Sequence, residues 1–139
     1  MQLAVRLESY IDEGCHQVFD WKRSNCCLFV AGWIEAVTGH NPMGHLRETT
    51  SGLDARALLD ELGGTLEAAW TLVLGHQPVA ASFAQVGDIV LVPMPSDTGG
   101  LGELVGICTG RQIVCVAHSG LIRVDTEMGA LAWRVGTAA

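Results

Sequence analysis

The sequence predicts an α+β fold, with a helical first half and antiparallel strands in the second. Two patterns predict it. Up to Leu74, apolar residues recur at helical spacing between capping residues and terminal glycines. After His76-Gln77-Pro78 the pattern changes to short β-branched runs separated by turn residues. At 139 residues, with no repeat, low-complexity tract or linker, the chain reads as a single domain, 1–139, large enough to bury a core.

The elements follow in order. Leu3, Val5, Leu7, Tyr10 and Ile11 give residues 2–13 a helical period, and Gly14 stops it. A loop containing Phe19-Asp20-Trp21 follows. Ser24 or Asn25 can then cap a helix over Cys26 to Thr38, closed by Gly39. That segment is apolar nearly all the way round, so a buried central helix is expected. Asn41-Pro42 and Gly44 make His40 to Thr50 irregular. Leu53 to Leu62 predicts a third helix with Ser51 as cap and Gly63-Gly64 behind it. A fourth, Leu66 to Leu74, lies between Thr65 and Gly75. Strands are expected at Ile89–Val92, Leu104–Thr109, Gln112–Ala117, Leu121–Asp125 and Leu131–Val135. The junctions at Thr109-Gly110-Arg111 and Ser119-Gly120 are short enough for hairpin turns.

Composition bounds the function. The chain is 49% hydrophobic and only 17% charged, with positive mean hydropathy. This fits a buried central helix and surfaces covered by other subunits. The apolar run from Asn25 is closed by Glu35, well short of the ~20 residues a bilayer span needs, so no membrane span is expected. A net charge of −7, with no basic stripe, argues against nucleic acid as a partner. The first fourteen residues lack the apolar core of a signal peptide, so synthesis in a cytoplasm is expected. Five cysteines then read as thiols rather than a disulfide framework.

Cys26 is the strongest chemical candidate. Immediately after a helix cap, the dipole and unpaired N–H groups favour a thiolate. Cys27, about 100° further round the helix, points to the core. Core packing is also the ordinary fate of a cysteine such as Cys26. A zinc site would need Cys15, His16, His40 and His45 to converge with Cys26, and no C-x-x-C pair supports it. Neither metal nor cofactor is therefore expected. Of the histidines, His118 is the best-placed general base, because it follows an apolar strand and precedes Ser119-Gly120. Asp88, in Gly87-Asp88 before Ile89-Val90, fits a turn cap. Arg47 can pair with Glu48 or Asp54.

A helical cysteine, then Gly87-Asp88-Ile89-Val90, then a β-meander resembles the NlpC-type cell-wall peptidases, small papain-like cysteine peptidases that cut peptidoglycan stem peptides. Several stretches resemble, more narrowly, a tailed-phage branch of that superfamily whose function is unassigned. They are Phe19-Asp20-Trp21, Cys26-Cys27-Leu28-Phe29-Val30, Trp33-Ile34-Glu35-Ala36, Thr38-Gly39, Gly87-Asp88-Ile89-Val90 and Ala132-Trp133-Arg134-Val135. The likeness runs over roughly residues 15 to 135. It implies a papain-like NlpC-type fold, with the central helix packed on an antiparallel meander or half-barrel. The family's nucleophile falls on Cys26, and Asn25 stands where an aspartate usually precedes it. The family's His-Val-Gly-Ile strand corresponds to Leu104-Val105-Gly106-Ile107, so leucine occupies the base position. The third polar position falls near Cys115.

A cysteine nucleophile needs a base to form its thiolate and to protonate the leaving amine, and leucine does neither. His118 lies three residues beyond Cys115, so strand alternation points the two oppositely unless a bulge intervenes. The resemblance therefore implies a peptidase-like fold without its chemistry, serving as a structural or assembly component of a phage tail tip. It would be made in the host cytoplasm and carried in the virion. Its partners would be hub, distal-tail and fibre proteins, with peptidoglycan as a further ligand. Two alternatives stay open. One is an active cysteine peptidase using Cys26 and a recruited His118. The other is a metal or iron–sulfur site shared with a partner through Cys26 with Cys108 or Cys115.

Overall fold

A computed structural model describes residues 3–14, 26–40, 60–93, 103–117 and 120–135, and it is α+β. Among them run helices α1 (Leu3–Gly14), α2 (Cys26–Thr38) and α3 (Leu66–Leu74), then strands β1 (Val79–Ala80), β2 (Ile89–Pro93), β3 (Glu103–Cys108), β4 (Gln112–Ala117), β5 (Gly120–Asp125) and β6 (Leu131–Trp133). Single 3-10 turns cover Ala81–Phe83 and Thr126–Met128. The helix expected at 53–62 lies largely outside the described residues, of which Asp60 and Glu61 are helical. The Ser24 or Asn25 cap and the Phe19-Asp20-Trp21 loop lie outside them too.

The six strands form one open antiparallel sheet in the order β1-β6-β2-β3-β4-β5. From β2 to β5 it is the expected meander. β6 then returns to pair with β2, through Ile89 opposite Trp133. β1 was not foreseen in the pattern. It is two residues long, follows Pro78, and exists because β6 offers it a partner. Pairing also ends β6 at Trp133 rather than Val135, whose N–H is taken by a side chain.

Strand alternation divides the sheet residues between two faces. Ile89, Leu91, Val105, Ile107, Val114 and Trp133 share one. There α3 docks, with the Trp133 indole N–H donating to the Thr71 hydroxyl at 3.2 Å. Val90, Val92, Leu104, Gly106, Cys108, Ile113 and Cys115 share the other. The 3-10 turns lie against it: a Cβ on Gly129 would stand 2.6 Å from Val90, 3.0 Å from Ala81 and 3.3 Å from Ile113. Both faces being covered, Ile89 to Val92 and Leu104 to Cys108 are buried without interruption. This explains why these antiparallel strands read as continuous apolar runs rather than alternating ones.

In α1, Leu7 and Ile11 are buried and Leu3 and Tyr10 packed against the core, an i, i+4, i+7, i+8 stripe. Val5 lies off that stripe and is exposed, contrary to its place in the expected pattern. α2 buries Phe29, Val30, Ala31, Trp33 and Ile34, but Glu35, Ala36 and Thr38 are exposed. It is thus one-sided in its last turn, not enclosed all round. Tyr10 clamps the two helices together. Its hydroxyl donates to the Phe29 carbonyl at 2.6 Å, and its ring lies 5.2 Å from Phe29 and 5.7 Å from Trp33. Gly32 sits under that hydroxyl, where a Cβ would collide with it. The Arg6 guanidinium donates to the Ala36 carbonyl, one of the acceptors the helix end leaves over. α3 is bounded as its sequence implies. Thr65 accepts from the Ala68 N–H at 3.1 Å, and Gly75 (φ 81°) returns its N–H to Thr71.

Candidate functional site

Gly87-Asp88 is the polar centre of the described structure. Gly87 has φ 90°, and a Cβ there would meet Leu3 of α1 at 2.8 Å and Trp33 of α2 at 3.3 Å. Its carbonyl accepts from the Trp33 indole N–H at 2.8 Å, while its N–H donates to the Cys108 carbonyl at 2.8 Å. Asp88 is wholly buried. Its Oδ2 accepts from the Gln85 N–H at 2.9 Å, the turn cap its sequence suggested. Its Oδ1 accepts from the Val135 N–H at 3.1 Å, and Arg134 Nε stands 3.4 Å from Oδ2. The Gly-Asp-Ile-Val and Ala-Trp-Arg-Val stretches, 45 residues apart at their first residues, are therefore bonded to each other. Gly87 and Asp88 together fasten α2, β3 and the segment that follows β6. Arg134 was not singled out for it, although a buried carboxylate calls for a cation nearby.

The positions matched to a peptidase's machinery are apolar or shielded where they are described. Leu104 is 2% exposed on β3, opposite Val92 of β2. Its side chain can neither take nor give a proton. Cys115, at the third position, is buried on β4 and carries its thiol in no disulfide. Its Sγ would lie 2.5 Å from a Cβ on Gly106, and Val114 O would lie 2.6 Å from it. The glycine of the Leu104-Val105-Gly106-Ile107 strand is thus demanded by the neighbouring strand. Cys108 is likewise buried. Burial pushes its thiol pKa up; the Gly110 N–H, 3.3 Å from Sγ, pulls against this, and Asp88 adds to the rise. It stays a neutral thiol, the opposite of an activated one.

Cys26 is the first residue of α2, as expected of a residue next to a cap, and its side chain lies outside what is described. His118, His16, His45, Cys15 and Arg47 also lie outside the described residues. His40 and His76 are exposed, each just after a helix. The structure thus does not bring the described candidates together around a titratable pair. Leu104 and Cys115 share a sheet face; the first has no titratable group and the second carries a buried thiol.

Glu103, at the start of β3, was not anticipated. It accepts from the Leu66 N–H at the head of α3. Burial raises its pKa, that N–H lowers it, and Glu67 raises it again. Its signal in the sequence is an acid opening a strand, which does not name a helix end elsewhere. A cleft of about 290 Å³ lies between the two 3-10 turns, lined by Ala81, Ser82, Thr126, Glu127, Gly129 and Gly110. It contains none of the residues matched to the peptidase machinery.

None of the curated proteins matches this chain. A family profile does, across residues 1–135, which is nearly the whole sequence and includes α2, the Gly87-Asp88 node and the closing Arg134-Val135. The chain belongs to the family described as Domain of unknown function (DUF6950).

Proposed function

We propose that this protein is a structural or assembly component of a phage tail tip, built on a papain-like NlpC-type fold that has lost its peptidase chemistry. The observation that carries the reading is Leu104. It is buried on β3 at the position matched to the catalytic histidine, and no proton can be exchanged there. The shielded thiol of Cys115 at the third position supports it. So does the bonding of Asp88 to Arg134 and Val135, which makes the last two matched motifs a framework rather than a site. The partners would be hub, distal-tail and fibre proteins, and the protein would be carried in the virion after synthesis in the host cytoplasm.

Two measurements test this. Purified peptidoglycan is incubated with wild type and with Cys26→Ala, and released cross-bridged peptides are quantified. Equal release at background level is expected; release that depends on Cys26 would end the reading of lost chemistry. Separately, purified particles are examined for the protein and its cross-linked neighbours. Its absence from the tail tip would end the assembly role.

A second reading is an active cysteine peptidase with Cys26 as nucleophile and His118 as base. The observation favouring it is that Cys26 opens the 13-residue helix α2, whose amino-terminal dipole lowers a thiol pKa.

A further inference from the structure

Among the described residues no strand pairs with the outer edge of β5, and the charges of that strand fit a second copy of itself. The Thr109 N–H donates to the Gln112 carbonyl at 2.8 Å, making that pair a hydrogen-bonded one. Bonded and non-bonded pairs alternate along an antiparallel ladder, so Cys108 and Ile113 are non-bonded and Ile107 and Val114 bonded. Val114 therefore directs its backbone groups to β3, and Ile113 and Cys115 direct theirs to β5. Their partners there are Val124 and Ile122. It follows that Leu121, Arg123 and Asp125 turn their N–H and C=O groups away from β4. Among the described residues no strand receives them. Leu121, Ile122 and Val124 are only half-buried, and Arg123 and Asp125 are exposed. Edge strands of this kind are templates for further pairing.

We propose that β5 pairs antiparallel with β5 of a second copy about a two-fold axis at Val124. In a two-fold strand pair, facing residues must share a sheet face, so the register can shift only in steps that keep that match. With Arg123 on the axis, like charges face each other, and the same holds with Asp125 there. With Ile122 on the axis, Arg123 faces Leu121. Only with Val124 on the axis does each Arg123 face the partner's Asp125, twice over. The outward N–H and C=O groups of Arg123 and Asp125 then exchange four hydrogen bonds across the axis, and Val124 meets Val124. Arg123 already reaches Glu8 of its own chain, at 3.9 Å, and its remaining donors suffice for a second carboxylate. The contact rests on β5 alone and is independent of any peptidase ancestry.

Sedimentation equilibrium of the full chain tests it. Wild type should show a reversible monomer–dimer equilibrium. Arg123→Asp and Asp125→Arg should each weaken the dimer by about tenfold, since two like-charged pairs then face each other. The double variant Arg123→Asp/Asp125→Arg should restore it. Arg123→Pro removes an outward N–H without touching the β4 ladder and should abolish the dimer while the far-UV spectrum stays unchanged. A wild-type chain that stays monomeric at its highest soluble concentration would overturn the proposal. So would single variants that dimerise like wild type, or a double variant that does not recover. If Arg123→Pro fails to fold, the charge-exchange series decides by itself.

Discussion

Replacing Asp88 should unfasten the molecule without touching any surface. Asp88→Ala removes the acceptor of two backbone N–H groups, Gln85 at 2.9 Å and Val135 at 3.1 Å, and the counter-charge of Arg134. Hydrogen bonds to a charged group contribute about 1.5–3 kcal/mol each, giving about 3–6 kcal/mol for two. Gln85 is exposed and its N–H can find water, whereas Val135 is buried, so the lower half of that range is expected. A loss of about 3–4 kcal/mol corresponds to a fall in Tm of about 10–15 °C for a domain of this size. Asp88→Asn keeps one acceptor oxygen but sets an NH₂ group against the other N–H, and should lose about 2–3 kcal/mol. Arg134→Ala should lose under about 1 kcal/mol, because the arginine side chain is 42% exposed and water replaces the ion pair. Urea and thermal unfolding followed by circular dichroism give all three values. The reasoning fails if Asp88→Ala costs under about 1 kcal/mol, or if Arg134→Ala costs as much as Asp88→Ala.

Substitutions at three other contacts report on them separately. Gly106→Ala should destabilise by about 1–3 kcal/mol, because its Cβ would lie 2.5 Å from Cys115 Sγ and 2.6 Å from Val114 O. Adding Cys115→Ala should recover only part of that, since the backbone oxygen remains; full recovery in urea unfolding would contradict the geometry. Tyr10 has its pKa pushed up to about 12, first by burial and then by Glu13 and Glu35. The neutral phenol is therefore the form the fold favours. Its contribution is complete below pH 10, near the unfolded value, and is lost as pH rises towards 12. Tyr10→Phe should be weaker than wild type by about 1 kcal/mol at neutral pH, from the lost bond to Phe29. The gap should close above pH 10 as wild type loses its advantage, and a gap constant with pH would refute the assignment. Glu103 also has a raised pKa, so its stabilising contribution is present below the unfolded carboxylate value and falls as pH rises through the folded one. Glu103→Gln keeps an acceptor for the Leu66 N–H and removes the half-buried charge; it should match or exceed wild-type stability at pH 7 and lose that edge in acid.

Local chemistry alone determined where α2 ends and where α3 begins and ends. Gly39 and Gly75 adopt the left-handed conformation that ends a helix, and Thr65 caps α3. Those signals act within four residues, so no tertiary contact is needed to read them. The alternation of β-branched runs and short turns likewise predicted the meander from β2 to β5, since each hairpin closes on its neighbour in sequence. Tertiary structure decided the rest. β1 exists only because β6 folds back beside it, and β6 is placed by pairing with β2, more than forty residues earlier in its first register pair. Val5 has the right polarity for a core position and the wrong angle for this one. Most of all, Asp88 reads as a local turn cap, which it is, but its second oxygen and its charge are met by Val135 and Arg134 from the other end of the domain. A sequence states that a buried carboxylate needs partners; only the closing of the sheet brings those partners within reach, because hydrogen bonds act over ångströms and not along the chain.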